Sequence, residues 1–492
     1  MIVERDDSGL TEITTRRGIY IKAFDIYRDI GGFYDYGPIG LRIKRNIESV
    51  WRSLFVDKLG AMEVETSIML PEPVLKSSGH LDTFTDPLAR CLNCGATFRA
   101  DKLLEKFYEE KKDFASLASV KNMSKEEIEK AILENKIKCE KCGKELKHLE
   151  DFNLLFKTSI GPFTADSGFL RPETAQGIFL DFKALSKAYP IKLPAAVAQV
   201  GKVFRNEISP RQQLIRLREF SQMETELFFD PESDRFDMNE ISIEEVIKKK
   251  VEFIDAGEPK GPRSATIGML FEEKKVPSKQ FATLVYLCAE MMDEIGLPKA
   301  AWSFREIEKA ELPHYSRGNV DIEIQTSYGA VEVAGIADRT NFDLKSHSEG
   351  SKNDLSILSY GKKVLPHVVE ASIGLDRLMF CLLDTLVVND RARGWKWLRL
   401  NSNVAPYKYA VFPLQHDDEL EKRAHEVEHM LKEMKVRSYY SDTGSIGKRY
   451  ARADEIGVPY CITIDYDTLK DRTVTIRDRD TAEQKRVRIE EI

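Results

Sequence analysis

The stretch that decides the fold is residues 204–224, FRNEISPRQQLIRLREFSQME, which holds four arginines, three glutamates and two phenylalanines in twenty-one residues. The sequence VGKVFRNEI alternates apolar and polar residues as a strand does, SPRQQ is rich in turn formers, and LIRLREFSQMETELFF alternates again. The pattern predicts an antiparallel hairpin with Arg205 and Glu207 on one face of its first strand. Its second strand is expected to have an apolar face (Ile215, Leu217, Met223, Leu227, Phe229) and a polar, partly aromatic face (Arg216, Arg218, Phe220, Gln222, Glu224).

The polar face of this hairpin has the side chains of a nucleotide and amine site. Arginine binds phosphate oxygens in a bidentate manner, and an aromatic ring and a guanidinium stack on a nucleobase. A glutamate accepts hydrogen bonds from an ammonium group. Exposed charges usually serve only to solvate a strand, but a purely solvated face does not need the phenylalanine at position 220. The glycine-rich phosphate loops GxxxxGK[ST] and GxGxxG do not occur.

Length and composition indicate a soluble protein of several domains. The chain has 492 residues, which predicts two to four domains, with 42% hydrophobic and 32% charged residues. The net charge of −7 argues against a general basic coat for nucleic acid, although local basic patches remain possible. The chain has no apolar run long enough for a membrane helix, and its start, MIVERDDSGL, lacks a secretory pattern. The expected compartment is the cytoplasm.

Four of the seven cysteines form two pairs with metal-ligand spacing, Cys91-x2-Cys94 and Cys139-x2-Cys142. A glycine follows each pair and permits the tight turn of a thiolate knuckle, so the pattern predicts a structural zinc site with four cysteine ligands. The alternative is a set of reduced, unpaired thiols on a charged helical insertion. The remaining cysteines, Cys288, Cys381 and Cys461, lie in apolar runs and are expected in the core.

The rest of the chain divides into a large first part and a small second part. Apolar spacing predicts a helix over 40–59, and AMEVETSIML predicts a strand that ends near Pro71. From about residue 404, YKYAVFPL, VRSYY, PYCITID and TVTIRDRD alternate with helical runs, which predicts a small α/β domain. The preceding RARGWKWLRLNSN is expected to be a linker.

Three segments together resemble the signature motifs of class II aminoacyl-tRNA synthetases. FRNE at 204–207 with Arg216-x3-Phe220 is similar to motif 2, GLDR at 374–377 to motif 3, and the helix over 40–59 with its strand to motif 1. Longer stretches resemble the dimeric glycyl-tRNA synthetases of archaea and eukaryotes, among them GFYDYGPIGLRIKRNI, RPETAQGIF, EVAGIADRTNFDL and HVVEASIGLDR. SIGKRYARADEIGVPYCITID resembles their anticodon-binding domain. One departure is Ala371, where the family usually has proline.

The resemblance implies an α+β fold, with an antiparallel sheet flanked by helices, a zinc-ribbon-like insertion and a C-terminal α/β anticodon-binding domain. The implied domains are a catalytic domain over 1–90 and 150–400, the insertion over 91–149, and the anticodon-binding domain over 401–492. The implied reaction activates glycine with ATP to glycyl-adenylate and pyrophosphate, and then transfers the glycyl group to the 3′ end of tRNA(Gly). The implied assembly is a homodimer formed through motif 1.

The resemblance also implies the site residues. It assigns catalysis to Arg205, which would hold the α-phosphate, to Glu207, which would meet the adenine amine, and to Arg377, which would lie over adenine and reach the terminal phosphate. The other implied ATP contacts are Asn206, Ile215, Arg216, Leu217, Arg218, Glu219, Phe220, Glu332, Val333, Gly374, Leu375 and Asp376, with Phe220 stacked on adenine and Glu332 a candidate Mg²⁺ ligand. The implied glycine contacts are Arg99, Glu173, Phe220, Ser221, Gln222, Met223, Glu224, Glu370, Ala371, Ser372, Ile373 and Gly374.

Two other functions remain open from the sequence. The first is a class II ligase for another amino acid, such as threonine, proline or histidine, against which the glutamate set and RPETAQG argue. The second is a non-catalytic binding protein built on a synthetase fold, which need not retain Arg205, Glu207, Phe220 and Arg377. The charged helices at 102–136 are expected to be solvated faces, although they could touch the tRNA acceptor stem through Lys102, Lys106, Lys111 and Lys112.

Overall fold

The structure is a computed structural model that describes residues 8–27, 30–120, 123–162, 166–208, 210, 213–257, 261–308, 312 and 316–492, and it leaves out the side chains of residues 8, 114, 115, 118, 147 and 148. Three residues of the predicted turn, Ser209, Arg211 and Gln212, lie outside the described residues. The helices are α1 Ser8–Arg17, α2 Pro38–Trp51, α3 Glu72–Ser77, α4 His80–Thr83, α5 Ala100–Lys111, α6 Phe114–Val120, α7 Lys125–Glu134, α8 Ala175–Ala188, α9 Ile243–Lys248, α10 Ile267–Glu272, α11 Lys279–Glu294, α12 Phe342–Ser351, α13 Leu375–Leu386, α14 Asp418–Glu433, α15 Ile446–Glu455 and α16 Tyr466–Asp471.

The strands alternate with these helices along the chain. They are β1 Tyr20–Lys22, β2 Tyr34–Tyr36, β3 Met62–Glu63, β4 Met69–Pro71, β5 Thr85–Arg90, β6 Thr97–Arg99, β7 Lys147–Asn153, β8 Phe156–Ser159, β9 Ser167–Leu170, β10 Ala195–Phe204, β11 Glu219–Phe229, β12 Lys250–Ile254, β13 Arg263–Thr266, β14 Trp302–Glu306, β15 Asn319–Thr326, β16 Gly329–Thr340, β17 Ile357–Ser359, β18 Lys362–Val364, β19 His367–Gly374, β20 Val387–Asp390, β21 Trp395–Leu398, β22 Tyr409–Pro413, β23 Ser438–Tyr440, β24 Tyr460–Ile464, β25 Thr473–Asp478 and β26 Gln484–Arg488.

A large, mainly antiparallel sheet forms the first part of the molecule. Its strand order, over the described residues, is β13-β12-β14-β15-β16-β19-β11-β10-β3. Strand β11 pairs antiparallel with β10 on one side and with β19 on the other, and β19 continues to β16. The predicted antiparallel pairing is therefore confirmed near one edge of the sheet, but Arg205 and Glu207 lie beyond the end of β10 at Phe204 and not on the first strand as predicted. Met223, Leu227 and Phe229 of β11 face the main core, as the alternation predicted.

Helices α2, α11 and α13 pack their apolar side chains into that main core. Helix α11 is buried around most of its circumference, which agrees with its central place behind the sheet. The predicted helix over 40–59 is α2 followed by a π-helical turn, Arg52–Lys58. Cys288 and Cys381 are buried in the main core, and Cys461 is buried in the C-terminal part, so these three cysteines lie where the sequence predicted.

The insertion between the cysteine pairs has a small core of its own. Strands β6, β5 and β7 form a sheet, and helices α5, α6 and α7 follow β6. The helical reading of the segment between the cysteine pairs is confirmed. Leu103, Leu104, Ile128 and Ile132 pack with the buried cysteines Cys91 and Cys139 into a cluster separate from the main core.

The C-terminal part is the predicted small α/β unit. Its sheet has the order β23-β22-β24-β25-β26, with β22 parallel to both β23 and β24. Leu420, Val427 and Leu431 of α14 cover one side of this sheet, and Ala453 of α15 contributes to a second apolar cluster with Phe412 and Cys461. The described part of the chain contains no helix that is long and apolar enough to cross a membrane.

Three expectations about local structure were wrong. The second hairpin strand begins at Glu219 rather than at 214, because the described residues of the segment 205–218 form a loop that Arg218 fixes through the carbonyls of Gly31 and Glu207. The strand over 61–71 is interrupted, because Gln199 and Arg171 side chains bond the backbone of Thr66 in place of a neighbouring strand.

The third expectation was a linker over 391–403. Those residues instead form most of a hairpin in which β20 and β21 pair and in which Trp397, Leu398 and Leu400 are buried. The hairpin contacts the C-terminal unit, where Trp395 Nε1 donates to Asp454 Oδ2 at 3.3 Å and Arg393 Nη1 donates to the Arg479 carbonyl at 2.6 Å. The two parts are joined by a packed polar interface.

Asp454 is the buried anion of that interface, and its loss is expected to destabilise the C-terminal unit. Arg477 donates to both of its oxygens, at 2.8 and 3.0 Å, and Arg393 Nη1 lies 3.5 Å away. We expect Asp454→Asn to lower the free energy of unfolding by about 3 kcal/mol or more, because it leaves buried guanidinium charge without its partner. Chemical denaturation followed by tryptophan fluorescence measures this loss.

The matched control is Asp467→Asn on α16, whose partner Lys470 and own side chain are both exposed. We expect a change below about 1 kcal/mol there, since exposed ion pairs contribute little. Equal losses in the two variants would contradict the assignment of Asp454 as the anchor of the interface.

Candidate active site

A cavity of about 510 Å³ opens on the front face of the large sheet. Its floor is formed by β11, β19 and β16, and the loop over 205–218 forms one wall. Seventeen of the predicted substrate residues line it: Arg99, Glu173, Arg205, Glu207, Ile215, Arg216, Leu217, Phe220, Gln222, Glu224, Glu332, Val333, Glu370, Ser372, Gly374, Asp376 and Arg377. Residues separated by up to 278 positions in sequence, from Arg99 to Arg377, therefore share one surface.

One end of the cavity is cationic and aromatic. The Arg205 guanidinium carbon lies 5.4 Å from the centre of the Phe220 ring, and Arg205 Nε donates to the Pro172 carbonyl at 3.2 Å. Arg377 is held from two sides, because its Nε donates to the Ile215 carbonyl at 3.0 Å and its Nη1 to the Glu332 carbonyl at 2.7 Å. These contacts orient both guanidinium groups along the cavity wall and leave the cavity side open to a phosphate.

The other end of the cavity is lined by carboxylates. Glu224 accepts hydrogen bonds from Ser372 Oγ at 2.7 Å and from the Thr174 backbone N–H at 2.8 Å, and Thr174 Oγ1 also donates to it. Gln222 Nε2 donates to Ser372 Oγ at 3.1 Å. The strand register places Glu224 opposite Ser372. Glu370 lies two residues before Ser372 on β19 and therefore projects from the same face. This end can accept hydrogen bonds from a small cation.

A buried guanidinium, that of Arg339, contacts several of these carboxylates. Arg339 donates to Glu370 Oε2 at 2.8 Å and to both oxygens of Asp343 at 2.8 and 2.9 Å, and it lies 3.7 Å from Glu173 Oε1. Glu173 also accepts from Gln176 Nε2 at 2.7 Å and lies 3.6 Å from His80 Nε2. Arg339 thus fixes the carboxylate of Glu370 on β19 and that of Asp343 on α12.

The surroundings of these carboxylates separate their pKa values. Burial tends to raise the pKa of Glu173, but His80 and Arg339 outweigh it and hold the pKa below its usual range. Burial raises the pKa of Glu370 to about 8 despite the opposing charge of Arg339, and it raises the pKa of Glu224 with a further contribution from Glu173. Glu226, which lies between this cluster and the core, is fully buried, and its pKa is raised well above the usual value.

A second acidic group lies near the cationic end. Glu323 and Glu332 are opposite each other on β15 and β16, and Asp321 lines the cavity beside them. Burial, followed by the charges of Glu332 and Glu323, raises the pKa of Asp321 to about 8. The Glu332 side chain is 56% exposed, so its carboxylate is accessible to a hydrated cation.

Some predicted substrate residues lie outside the cavity lining. Arg218 bonds backbone carbonyls of the loop, Glu219 pairs with Lys202 at 3.0 Å, and Arg99, which does line the cavity, is held by Asp86 and Asp101. The predicted residues that the cavity lining does not include are Asn206, Arg218, Glu219, Ser221, Met223, Ala371, Ile373 and Leu375. Of these, Met223, Ala371, Ile373 and Leu375 face the main core, because they occupy the alternate strand positions or the start of α13.

Sequence reasoning missed several residues that build this site. Arg339 and Asp343 lie in EVAGIADRTNFDL, a stretch that was matched without a role for either residue, and Thr174 and Gln176 lie in RPETAQGIF. Ala337 of β16 is the cross-strand neighbour of Glu370, and Arg339 lies two residues further on, at an irregularity in the strand register. His347, whose Nε2 donates to Gln176 Oε1 at 2.7 Å, belongs to the same buried network.

The four paired cysteines also come together. The sulfurs of Cys91, Cys94, Cys139 and Cys142 all lie within 4.8 Å of one another, with Cys91 and Cys142 at 3.5 Å and Cys94 and Cys139 at 3.6 Å. Four thiolates at about 2.3 Å from a central Zn²⁺ require sulfur separations of this size. Gly95 and Gly143 have φ values of +70° and +69° and close the two knuckles by donating to the carbonyls of Cys91 and Cys139.

Comparison with solved structures defines the class of protein. The chain is similar to the prolyl-tRNA synthetase of Giardia lamblia in complex with prolyl-adenylate, with a TM-score of 0.60 and 14% identity, over 98% of this chain and 74% of that one. The prolyl-tRNA synthetase of Cryptosporidium parvum complexed with halofuginone and AMPPNP gives a TM-score of 0.60 at 15% identity, over 99% and 76%. The fold is that of a class II aminoacyl-tRNA synthetase, as the sequence predicted.

Comparison with curated proteins then defines the family. Residues 408–492 match the family model described as an anticodon binding domain. The chain is 36% identical to the glycine–tRNA ligase of Methanocaldococcus jannaschii, over 98% of this chain and 97% of that protein, and 36% identical to that of Thermococcus gammatolerans, over 98% and 96%. The chain belongs to the glycine–tRNA ligase family.

The raised pKa of Glu370 predicts how stability depends on pH. The folded pKa of about 8 lies above the usual value of 4.5, so the folded state binds the proton more tightly than the unfolded state between these values. The wild-type chain is therefore expected to lose stability relative to Glu370→Gln as pH rises from about 5 to about 8, by up to about 1 kcal/mol per pH unit. Chemical denaturation of both proteins at pH 5.5, 7 and 8.5 measures the difference.

Glu232→Gln serves as the control for this pH series, because Glu232 is 76% exposed and its ion pair with Lys362 is screened by solvent. Its difference from the wild type is expected to stay nearly constant. A stability of the wild type relative to Glu370→Gln that stays constant from pH 5.5 to pH 8.5 would contradict the prediction, because the Glu370 carboxyl would then already be ionised in the folded protein at pH 5.5.

Proposed function

We propose that this chain activates glycine with ATP and transfers the glycyl group to the 3′ end of tRNA(Gly). The observation that carries the proposal is the polarity of the cavity, which has arginines and an aromatic ring at one end and carboxylates at the other. ATP presents phosphates and an adenine ring, and an amino acid presents an ammonium group. The membership of the chain in the glycine–tRNA ligase family supports the same substrates.

The carboxylate end is the proposed amino-acid pocket. Glu173, Glu224 and Glu370 would accept hydrogen bonds from the glycine ammonium, with the Ser372 hydroxyl beside them. Gln222 holds that hydroxyl in place. Because these side chains crowd the cavity end, a larger amino acid is excluded by its size, and no smaller competitor exists that would require editing.

The cationic end is the proposed ATP site. Arg205 would bind the α-phosphate, Phe220 would stack on adenine, and Arg377 would lie over adenine and reach the terminal phosphate. Glu207, whose carboxylate is 3.7 Å from Arg216 Nε, would accept from the adenine amine. The remaining proposed contacts in the cavity wall are Ile215, Leu217, Val333 and Gly374.

The proposed chemistry needs no protein nucleophile. A carboxylate oxygen of glycine attacks the α-phosphorus of ATP, the bond to the bridging oxygen breaks, and pyrophosphate leaves. The terminal ribose hydroxyl of tRNA then attacks the glycyl carbonyl carbon, and AMP leaves. The chain contributes by orientation and by charge, because Arg205 can stabilise the charge that develops on the phosphate oxygens.

Mg²⁺ accompanies ATP in class II synthetases, and the acidic group at the cationic end fits such an ion. Glu332 is the proposed protein ligand, and its exposed carboxylate stands beside Asp321 on the neighbouring strand. Carboxylate and phosphate oxygens are the ligands that Mg²⁺ prefers. The ion would neutralise phosphate charge and would also lower the pKa of Asp321.

Zn²⁺ is the proposed structural metal of the insertion. Four thiolates leave no open position for a substrate, so the ion would hold the two knuckles together. We place the insertion at 91–149, the catalytic domain at 1–90 and 150–400 and the anticodon-binding domain at 401–492. Lys102 and Lys106, two lysines considered for an acceptor-stem contact, pair with Glu105 and Glu140, which favours a solvated face.

A homodimer and a cytoplasmic location complete the proposal. Several apolar side chains of the segment that leads into α2 are exposed, with Ile26 at 91% and Tyr27 at 86%, and Leu41 of α2 is also exposed. Exposed apolar side chains in one segment favour an interface, which agrees with the role of motif 1 in this class. The seven cysteines are free thiols, which fits a reducing compartment.

Amino-acid-dependent exchange of pyrophosphate into ATP, run with each of the twenty amino acids, tests the function. We expect exchange with glycine alone. Exchange with another amino acid would retain the ligase class and reject the assignment of the carboxylate pocket. Exchange with none of the twenty, from folded and metal-replete protein, would favour a non-catalytic binding protein.

Arg205→Ala is expected to reduce glycine-dependent exchange by about 100-fold or more, because a group that stabilises developing charge is lost. Arg235→Ala is the matched control, since Arg235 is exposed and its guanidinium lies over Tyr360, outside the cavity. We expect that control to exchange at the wild-type rate. A fully active Arg205→Ala variant would contradict the phosphate role of Arg205.

Metal analysis tests the zinc proposal. We expect one zinc per chain, and we expect Cys139→Ser to lose it because three thiolates bind more weakly. The small core of the insertion should then open, so limited proteolysis of the variant is expected to cut within 91–149. Cys288→Ala, at a buried cysteine of the main core, should retain the zinc. A zinc-free wild-type chain with a protease-resistant insertion would contradict the proposal.

A further inference from the structure

A buried lysine lies behind the wall of the cavity. Lys44 of α2 is 6% exposed, and its Nζ is 2.8 Å from Ser221 Oγ and 2.9 Å from Asp376 Oδ1. The same ammonium lies 4.6 Å from the centre of the Tyr36 ring. Lysine is rarely buried unless it is paired, so this position has a specific requirement for a cation.

Asp376 is the anion that Lys44 meets, and all of its hydrogen-bonding partners come from different segments. Lys44 and the Tyr36 hydroxyl donate to Oδ1, and the Ser221 backbone N–H donates to Oδ2. Burial tends to raise the pKa of Asp376, but Lys44 and Tyr36 outweigh it and hold the pKa below its usual value. The carboxylate of Asp376 therefore accepts hydrogen bonds at both of its oxygens.

Stability alone does not account for a buried pair of this kind. Removing two charges from water costs free energy that their attraction often only balances, and an apolar pair of similar volume is frequently as stable. What the pair supplies is geometry. It joins α2 to the start of β11 and to the first turn of α13.

The two residues that Lys44 joins are each next to a proposed ATP residue. Ser221 follows Phe220, and Asp376 precedes Arg377. Phe220 and Arg377 both line the cavity, and they come from different elements, β11 and α13. A fixed distance between Ser221 and Asp376 therefore sets the distance between the ring and the guanidinium that would enclose adenine.

We infer that Lys44 is a positioning residue for the nucleotide, which acts through Ser221 and Asp376 to hold Phe220 and Arg377 at the spacing that adenine requires. The inference rests on the proposed function. It also gives Ser221 a different role from the glycine contact implied by the resemblance, because its hydroxyl meets Lys44 and its backbone N–H meets Asp376.

The glycine end of the cavity provides an internal comparison. Glu224, Glu370 and Ser372 are fixed by Thr174, Arg339 and Gln222, and none of their recorded hydrogen bonds among the described residues involves Lys44. A change at Lys44 should thus affect ATP and glycine unequally. A general loss of folded protein would affect both equally.

The experiment compares Lys44→Met, Lys44→Arg and Ser221→Ala with the wild-type chain in full-length, metal-replete form. Glycine-dependent exchange gives the KM for ATP, the KM for glycine and kcat, and equilibrium binding of ATP without glycine gives its Kd. We expect Lys44→Met to raise the KM and Kd for ATP about tenfold or more, with the KM for glycine within about twofold, because a small misplacement of binding groups is costly. Lys44→Arg, which keeps the charge, should recover part of the loss.

Ser221→Ala keeps the buried ion pair, so the test does not depend on the folding of Lys44→Met. We expect it to raise the KM for ATP about threefold and to leave the KM for glycine unchanged, since it removes one hydrogen bond of the cluster. Folded Lys44→Met and Ser221→Ala with wild-type affinity for ATP would overturn the inference. A selective rise in the KM for glycine with Ser221→Ala would also overturn it and restore Ser221 to the glycine pocket.

The outcomes separate this inference from the proposed function. If the wild-type chain exchanges with no amino acid, the proposed function fails, while ATP binding to the wild type and Lys44→Met still tests the role of Lys44. If exchange is normal and the variants lose only apparent kcat, in proportion to their folded fraction, while the KM values for ATP and glycine stay at those of the wild type, Lys44 has only a structural role and the inference fails.

Discussion

The site depends on the register of three neighbouring strands. Because β11 pairs with both β10 and β19, residues two apart on β11 project from the same face and meet fixed partners on β19. Glu224 lies opposite Ser372 for this reason, and Met223 lies in the main core. A slip of one residue would exchange those two side chains and bury a carboxylate among apolar groups. Burial of the apolar side chains on the back face of β11 therefore fixes the strand register, and the register fixes the positions of the polar side chains on its front face.

That register brings like charges together, and Arg339 is the counter-charge that makes the arrangement stable. Its guanidinium bonds Asp343 in a bidentate manner and reaches Glu370, so the residue is fixed by one carboxylate while it serves another. The carboxyl groups exceed the positive charge available to them. Because that positive charge is insufficient, burial raises the pKa of Glu370 and of Glu226, and their carboxyl groups bind protons more tightly. When no substrate is bound, proton binding to these carboxyl groups thus reduces the free-energy cost of burying several negative charges.

The sequence predicted the parts of the fold that local patterns determine. The alternation over 219–229 identified the face that carries Phe220, Gln222 and Glu224, the cysteine spacing identified the four sulfurs that meet, and the strand and helix alternation after 404 identified the C-terminal unit. Prediction from the sequence failed where contacts between residues far apart in the chain determine the local structure. Arg218 turns an alternating segment into a loop by bonding Gly31 and Glu207, and the hairpin over 391–403 is held by Asp454. Arg339 and Lys44 have no local pattern at all, because their roles depend on residues brought near by the fold.

The two ends of the cavity also explain how an amino acid with no side chain can be oriented. Glycine offers only an ammonium and a carboxylate, so opposite charge at the two ends is the sole available guide. In the proposed function, an ammonium among Glu173, Glu224 and Glu370 would direct the glycine carboxylate toward the arginines that would hold the α-phosphate. The pocket proposed to recognise the substrate would therefore also aim its nucleophile. Because the ammonium would place positive charge beside Glu370, binding would favour ionisation of Glu370 and would strengthen the attraction that holds glycine.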